Sequence, residues 1–248
     1  IVASLVGSEM CIRDSYLDES MLKKVFNDRA WNFKADPFYS ENENSIYFEK
    51  FNYFLGTGKL AKYSFENKSI KDIKTSDNIH YSYPCTFEHE GETYLIPEGA
   101  QSNKIEIYRV DQDSLKKVNT VIDGFAGVDP TIVEHNNTWY IFATDGRMGG
   151  HSYLNIFYAK NPLTEWTPHS LNPVKINLSN SRGGGSMFKE GDSLIRPAQN
   201  CFPEYGTSLV FNKIEQLSPY EFKEAVVGEL KPTDCLLYTS PSPRDWLQ

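Results

Sequence analysis

The sequence contains no apolar run that approaches the roughly 18 residues of a membrane-spanning helix. It also lacks a cluster of basic residues: 33 Asp and Glu against 25 Lys and Arg give a net charge of −8. Four cysteines in 248 residues are too few for a disulfide scaffold. These absences exclude a membrane span and make nucleic acid or an anionic membrane surface an unexpected partner.

Long helical patterns are scarce as well, whereas aromatic residues are abundant, with 15 Tyr, 15 Phe and 4 Trp. Aromatic side chains are enriched in β-strands, so the composition favours an all-β protein. A hydrophobic content of 40% is enough for a substantial core. One short helix is predicted over 18–29, with Asp18 or Ser20 as its N-cap.

The two ends of the chain do not continue the pattern beside them. Ser4–Ser15 reads SLVGSEMCIRDS and Cys235–Asp245 reads CLLYTSPSPRD. These strings match translations of one DNA sequence and of its reverse complement, and that DNA resembles a transposon-based sequencing adapter. We therefore interpret residues 1–15 and 235–248 as translated adapter, which leaves 16–234 as the natural segment of a longer protein. A signal peptide is the alternative for the N-terminus, but the basic first region is missing.

The natural segment contains a repeat of about 47 residues. Each unit has a short apolar strand, a polar turn and a second aromatic or aliphatic strand, which is the pattern of a β-hairpin. Pro37, Pro84 and Pro130 open equivalent strands and are 47 and 46 residues apart. A fourth unit starts near Gly185. The outer strands alternate polar and apolar residues, and third strands are predicted at 58–63, 104–109 and 153–158.

A period of 40–50 residues with several strands per unit is typical of β-propeller blades. We expect blades at approximately 33–78, 79–126, 127–172 and 180–231. In a propeller the innermost strands line a central channel, so residues at equivalent repeat positions converge there.

Acidic residues stand at two of these equivalent positions. Asp36 and Asp129 each precede the proline that opens an inner strand, although an Asp-Pro pair can also serve only as a turn signal. Glu49 and Glu98 both end the second strand of their units. We favour Glu98 as a functional acid, because the charge of Lys50 beside Glu49 suggests an ordinary strand exit.

The fourth unit supplies two arginines. Arg182 precedes three glycines (183–185), which permit close approach of a ligand or unusual backbone angles. Arg196 lies in the second strand. Each arginine could bind a carboxylate, a phosphate or paired hydroxyls, or could equally be a structural partner of the acids. The five histidines show no metal-ligand spacing, and no metal site or cofactor is predicted. Cys85 and Cys201 are interpreted as small buried residues.

Several motifs, taken in order, resemble one family. They are Ala35-Asp36-Pro37-Phe38, Ser82-Tyr83-Pro84 with Ile96-Pro97-Glu98, Val128-Asp129-Pro130-Thr131, Trp166 to Val174, and Arg196-Pro197-Ala198-Gln199-Asn200 with Tyr205-Gly206. The family is the N-terminal propeller domain of plant glucosamine inositolphosphorylceramide transferases and of bacterial proteins, some joined to a formyltransferase-like domain. The resemblance covers nearly all of 31–231. It implies the five-bladed propeller of glycoside hydrolase family 43, of which about four blades would be present.

Hydrolases of that superfamily use an Asp base, an Asp that tunes pKa values and a Glu acid. By resemblance Asp36 matches the first and Asp129 the second. The expected glutamate is missing, because the matching segment reads Ser181-Arg182-Gly183-Gly184. We predict that Glu98 takes the place of this missing acid, an assignment that the resemblance itself does not imply. Among the motif residues, Arg182, Arg196, Gln199 and Tyr83 are predicted to bind ligand.

Two functions follow. The propeller could bind a carbohydrate or sugar phosphate and present it to a fused transferase or formyltransferase-like domain, which the missing glutamate and the family's fusions favour. Alternatively it could hydrolyse glycosides with Asp36, Asp129 and Glu98. A protein-interaction propeller is less favoured, since no Gly-His or Trp-Asp signature recurs. A cytoplasmic location is expected.

Overall fold

The computed structural model describes residues 32–231. The helix predicted over 18–29 and the two segments interpreted as adapter lie outside the described residues. Within 32–231, no helix is long and apolar enough to cross a membrane.

The described chain forms four antiparallel sheets arranged as propeller blades, which confirms the all-β propeller. Blade one contains β1 (Asn32–Ser40), β2 (Ser45–Asn52), β3 (Thr57–Ser64) and β4 (Ser69–Asp72). Blade two contains β5 (Ser82–His89), β6 (Glu92–Glu98), β7 (Lys104–Asp111) and β8 (Ser114–Asp123). Blade three contains β9 (Gly127–His135), β10 (Thr138–Asp145), β11 (Tyr153–Ala159), β12 (Thr167–Pro168) and β13 (Lys175–Ile176). Blade four contains β14 (Phe188–Glu190), β15 (Ser193–Asn200), β16 (Ser208–Leu217) and β17 (Phe222–Leu230).

Each blade is a meander in which consecutive strands pair. Blade three departs from this plan, because β12 and β13 are two short strands that both pair with β11 in place of one outer strand. The predicted third strands at 58–63, 104–109 and 153–158 correspond to β3, β7 and β11. Four blades lie within the described residues, and a five-bladed ring stays a prediction.

The hairpin turns use residues suited to left-handed backbone. Asn136 and Asn137 both have positive φ, at 51° and 56°, between β9 and β10. Two consecutive positive φ angles define the turn whose twist matches that of paired strands. Glu90 and Gly91 do the same between β5 and β6, with φ of 50° and 81°.

Apolar side chains fill the spaces between blades. Phe38 and Tyr83, on the inner strands of blades one and two, meet edge to face with ring centroids 4.8 Å apart. Phe142 of blade three meets Phe222 of blade four at 6.0 Å. Burying a side chain such as Phe38 stabilises the fold by about 1.5–3 kcal/mol. The same packing fixes the inner strands relative to one another.

Three inner strands share a β-bulge at the same repeat position. Residues 36–37, 83–84 and 129–130 each place two residues opposite one residue of the neighbouring strand. The first residue of each pair, Asp36, Tyr83 or Asp129, has a positive φ of 50°, 46° or 48°, and the second is proline. Bulges of this kind re-aim side chains and tolerate proline. Non-glycine residues with positive φ cost free energy and cluster at functional sites.

Candidate functional site

The bulges bring acids from blades one, two and three together. The backbone N–H of Tyr83 in blade two donates to the carboxylate of Asp36 in blade one. The backbone N–H of Asp129 in blade three donates to Oε2 of Glu98 in blade two, at 3.1 Å. Asp36 and Glu98 are both half-buried, whereas Asp129 is 3% exposed. The predicted acids Asp36, Glu98 and Asp129 therefore lie in one cluster, which we call the carboxylate cluster.

Blade four contributes the cation of this cluster. The Nε of Arg182 donates to Oδ2 of Asp129 at 2.6 Å, and both side chains are buried. The Nε2 of Gln199 donates to the same oxygen at 2.9 Å and to the carbonyl of Gly183 at 2.7 Å. A buried charge is tolerated when it is paired and hydrogen-bonded. Arg182 and Gln199 thus hold Asp129 in place.

Two further side chains surround Arg182. Its Nη1 lies 3.0 Å from Nδ1 of His151, so this ring nitrogen accepts and the proton of a neutral His151 is on Nε2. The guanidinium lies over the ring of Tyr205, 4.9 Å from the ring centroid. Although burial opposes the charge, Asp129, Tyr205 and Glu98 raise the pKa of Arg182. Arg182 therefore stays a cation at every relevant pH.

The glycines after Arg182 permit close packing of the chain on itself. A Cβ on Gly183 would lie 2.7 Å from the carbonyl oxygen of Asp129, and one on Gly184 would lie 2.9 Å from the backbone nitrogen of Ala198. The N–H of Gly185 donates to the hydroxyl of Tyr83 at 2.7 Å. The glycine run lets blade four approach the Asp129 bulge.

Glu49 belongs to the cluster, although its sequence context suggested an ordinary strand exit. It pairs with Ala35 beside the first bulge, as Glu98 pairs with Ser82 beside the second. Its side chain is buried, and Oε1 lies 3.5 Å from Nε2 of His80. The signal was present in the repeat, because Glu49 and Glu98 occupy equivalent positions. Lys50 was misleading, since it turns outward to Asp72 at 2.7 Å.

The close approach of these acids perturbs their protonation. Burial, followed by the Asp129 carboxylate, raises the pKa of Glu98 from 4.5 to about 8, against the opposing effect of Arg182. Burial and then Asp36 raise the pKa of Glu49, and burial together with Asp129 raises the pKa of Asp36. Carboxyl groups in one site cannot all ionise freely. Glu98 is therefore a proton donor near neutral pH.

Two predicted ligand-binding residues have other contacts. The hydroxyl of Tyr83 lies 2.9 Å from Oγ1 of Thr131 and accepts from Gly185, and the side chain is 1% exposed. Arg196 donates through Nε and Nη2 to both carboxylate oxygens of Glu224, at 2.8 and 2.6 Å, and its remaining contacts are backbone carbonyls. Of the two alternatives left open for Arg196, this geometry supports the structural partner. Both side chains are therefore engaged by protein groups, and ligand binding by either one stays a prediction.

Within 32–231, no group of three or more His, Cys, Asp or Glu side chains could hold a metal ion. Cys85 and Cys201 are free and buried, and burial raises their pKa values to about 12 and about 11. A thiol with a raised pKa is a poor nucleophile.

The raised pKa of Glu98 predicts a pH-dependent stability. Between about pH 4.5 and about pH 8 the folded state holds a proton at Glu98 that the unfolded state has lost. The contribution of Glu98 to the free energy of unfolding therefore falls as the pH rises through this window and levels off above it. Glu98→Gln keeps an acceptor for the Asp129 N–H and should flatten the decline, measured by urea unfolding at pH 5.5 and 8.5. Glu134→Gln, at an exposed position of β9, is the control, and parallel curves for all three proteins would contradict the assignment.

Two solved structures with a similar architecture are a galactanase and a family-43 glycoside hydrolase. An exo-β-1,3-galactanase from Clostridium thermocellum aligns with a TM-score of 0.59 at 11% identity, over 78% of this chain and 49% of that one. A thermostable family-43 glycoside hydrolase aligns with a TM-score of 0.57 at 17% identity, over 88% of this chain and 81% of that one. The fold is therefore that of the family-43 propellers. The chain belongs to the family described as glucosamine inositolphosphorylceramide transferase 1, N-terminal, whose model matches residues 23–233.

Curated relatives agree with this membership. Glucosamine inositolphosphorylceramide transferase 1 of Arabidopsis thaliana is 31% identical over 209 residues, which are 79% of this chain and 27% of that protein. The protein of the same name from Oryza sativa subsp. japonica is 33% identical over 162 residues, which are 63% of this chain and 22% of that protein. The chain thus spans about a quarter of the length of these relatives.

Proposed function

We propose that the propeller binds an uncharged sugar at the carboxylate cluster and presents it to a transferase domain of a larger protein. The convergence of Asp36, Glu98 and Asp129 from three blades is the observation that carries this proposal. Carboxyl groups accept hydrogen bonds from sugar hydroxyls, and Asp36 and Glu98 are only partly buried as residues. The transferase names of the curated relatives and the galactanase among the similar folds both refer to sugars.

The charges of the site favour an uncharged sugar over the sugar phosphate that the sequence also allowed. Arg182 pairs with Asp129, and Arg196 pairs with Glu224. Both cations predicted to recognise a phosphate thus already have buried carboxylate partners. Burial and the negative charges of the cluster already raise the pKa values of Glu49 and Glu98, so a phosphate placed there would add negative charge to a site that disfavours it.

Glycoside hydrolysis is the second candidate, and the state of Glu98 favours it. A general acid must be protonated near the working pH and accessible to substrate. Glu98 meets both conditions, with a pKa of about 8 and a half-buried side chain. Asp36 would then act as base and Asp129 would tune the pKa of its neighbours. The raised pKa of Asp36 weakens its action as a base at low pH.

Calorimetry with the 248-residue chain can test the proposal. A panel of methyl glycosides, each beside the 6-phosphate of the same sugar, should show tighter binding of the uncharged member by about tenfold. Asp36→Asn should weaken that binding by roughly tenfold or more, because asparagine tolerates positive φ but removes the charge. Tighter binding of the phosphate would contradict the proposal. Release of aryl groups from aryl glycosides, lost in Asp36→Asn, would favour the hydrolase instead.

A further inference from the structure

The connection between β15 and β16, residues 201–207, carries two exposed aromatic side chains beside the carboxylate cluster. We call it the aromatic loop. It begins two residues after Gln199, which contacts Asp129. Tyr205 is 39% exposed and Phe202 is 61% exposed. Sequence reasoning named Tyr205 only as part of a family motif and did not assign it a role.

Tyr205 is held in a defined orientation. The Arg182 guanidinium covers one face of its ring at 4.9 Å, and the ring of His151 lies 5.8 Å away at a tilt of 49°. These two contacts fix the ring, while Tyr205 as a residue keeps 39% of its surface exposed. Burial raises the pKa of the phenol, and the carboxylates of Asp129 and Asp36 raise it further. The phenol of Tyr205 thus lies near the acids that would hold a sugar.

Phe202 is positioned by hydrogen bonds at both ends of the loop. Its N–H donates to Oδ1 of Asn200 at 3.0 Å, and the N–H of Cys201 donates to the carbonyl of Leu178 at 2.9 Å. At the other end Thr207 donates through its N–H to the carbonyl of Asn200 at 3.1 Å and through Oγ1 to the carbonyl of Glu204 at 2.7 Å. Phe202 is thus an exposed apolar ring on a loop fixed at both ends, three residues before Tyr205 in the chain.

We propose that the aromatic loop is a stacking platform that makes the site specific for ligands with at least two rings. Tyr205 packs against the apolar face of the sugar held by the carboxylates, and Phe202 packs against a second ring attached to that sugar. Rigid aromatic rings supply apolar contact area at little entropic cost. The inference rests on the proposed sugar-binding function and adds the size of the ligand to it. Continuity with the Arg182 and Asp129 pair distinguishes this platform from other exposed aromatics.

The test compares a methyl glycoside with the 4-nitrophenyl glycoside of the same sugar, by calorimetry on the 248-residue chain. The wild type should bind the two-ring aryl glycoside about tenfold more tightly, the order of one good aromatic contact. Phe202→Ala should remove this preference and leave the affinity for the methyl glycoside within about twofold. Tyr205→Ala should weaken both ligands by about tenfold, and Tyr205→Phe should retain binding of both.

Phe54→Ala is the matched control, because Phe54 is an 86% exposed aromatic in the β2–β3 connection of blade one. It should bind both glycosides as the wild type does. Equal affinities of Phe202→Ala and wild type for the aryl glycoside would overturn the platform while leaving the sugar site intact. The wild type could instead self-associate through this loop. If Phe202→Ala abolished such self-association and left sugar binding unchanged, the loop would be a contact between copies of the chain and the proposal would be overturned. Failure of the wild type to bind any glycoside would overturn both proposals.

Discussion

Replacing Asp129 with asparagine is expected to lower the free energy of unfolding by about 3–5 kcal/mol, because it leaves the buried Arg182 guanidinium without its counter-ion. Asp129 accepts from Arg182 at 2.6 Å and from Gln199 at 2.9 Å through the same oxygen. Asparagine tolerates the φ of 48° at this position, so the change tests the charge and not the backbone. A loss of this size is a large part of the 5–15 kcal/mol typical of a domain.

A second variant separates the lost pair from a general failure to fold. Asp129→Asn combined with Arg182→Met removes both charges and should recover part of the lost stability, since no buried charge then stands alone. Urea unfolding of the wild type, the two single variants and the double variant gives the coupling free energy. Sugar binding should be weakened in all three variants. Equal stability of Asp129→Asn and wild type would show that this pair does not hold the blades together.

The repeated bulge explains how much of the site could be predicted from sequence. Asp36 and Asp129 precede prolines in register, so the repeat alone places them at equivalent points of neighbouring inner strands. Their convergence with Glu98 follows from the propeller topology. Tyr83 precedes Pro84 at the equivalent repeat position, but the left-handed backbone that it shares with Asp36 and Asp129 is a property of the folded bulge. Its hydroxyl consequently turns into the protein, where sequence reasoning expected a ligand contact.

The partners of the charged residues could not be predicted in the same way. Asp129 and Arg182 are 53 residues apart in the chain, and Arg196 and Glu224 are 28 apart. Pairing over such separations depends on how blades and strands meet, which local pattern does not encode. Glu49 illustrates the opposite error. The repeat position of Glu49, equivalent to that of Glu98, correctly indicates a place in the acidic site. The neighbouring Lys50 says nothing about Glu49, because its side chain points away to Asp72.

Arg196→Met is expected to cost about 1–3 kcal/mol of unfolding free energy, because Glu224 then loses its bidentate partner and keeps only Lys175, at 2.7 Å. Both side chains are buried, and Nη2 lies 2.6 Å from Oε1. Burial opposes ionisation of Glu224, but Arg196 and Lys175 together hold its pKa below the ordinary value. Methionine preserves apolar volume in the core, so the loss reports the ion pair more than a cavity.

Ligand affinity decides between the two roles that the sequence left open for Arg196. A structural partner predicts that Arg196→Met unfolds at lower urea while its affinity for the methyl glycoside stays within about twofold of the wild type. A ligand-binding arginine predicts the reverse, with affinity lost and stability kept. Glu224→Gln is the matched variant, because it breaks the same pair from the other side and should reproduce the stability loss. Since Arg182 is the arginine that contacts Asp129, the same calorimetry on Arg182→Met should show the affinity loss that Arg196→Met lacks.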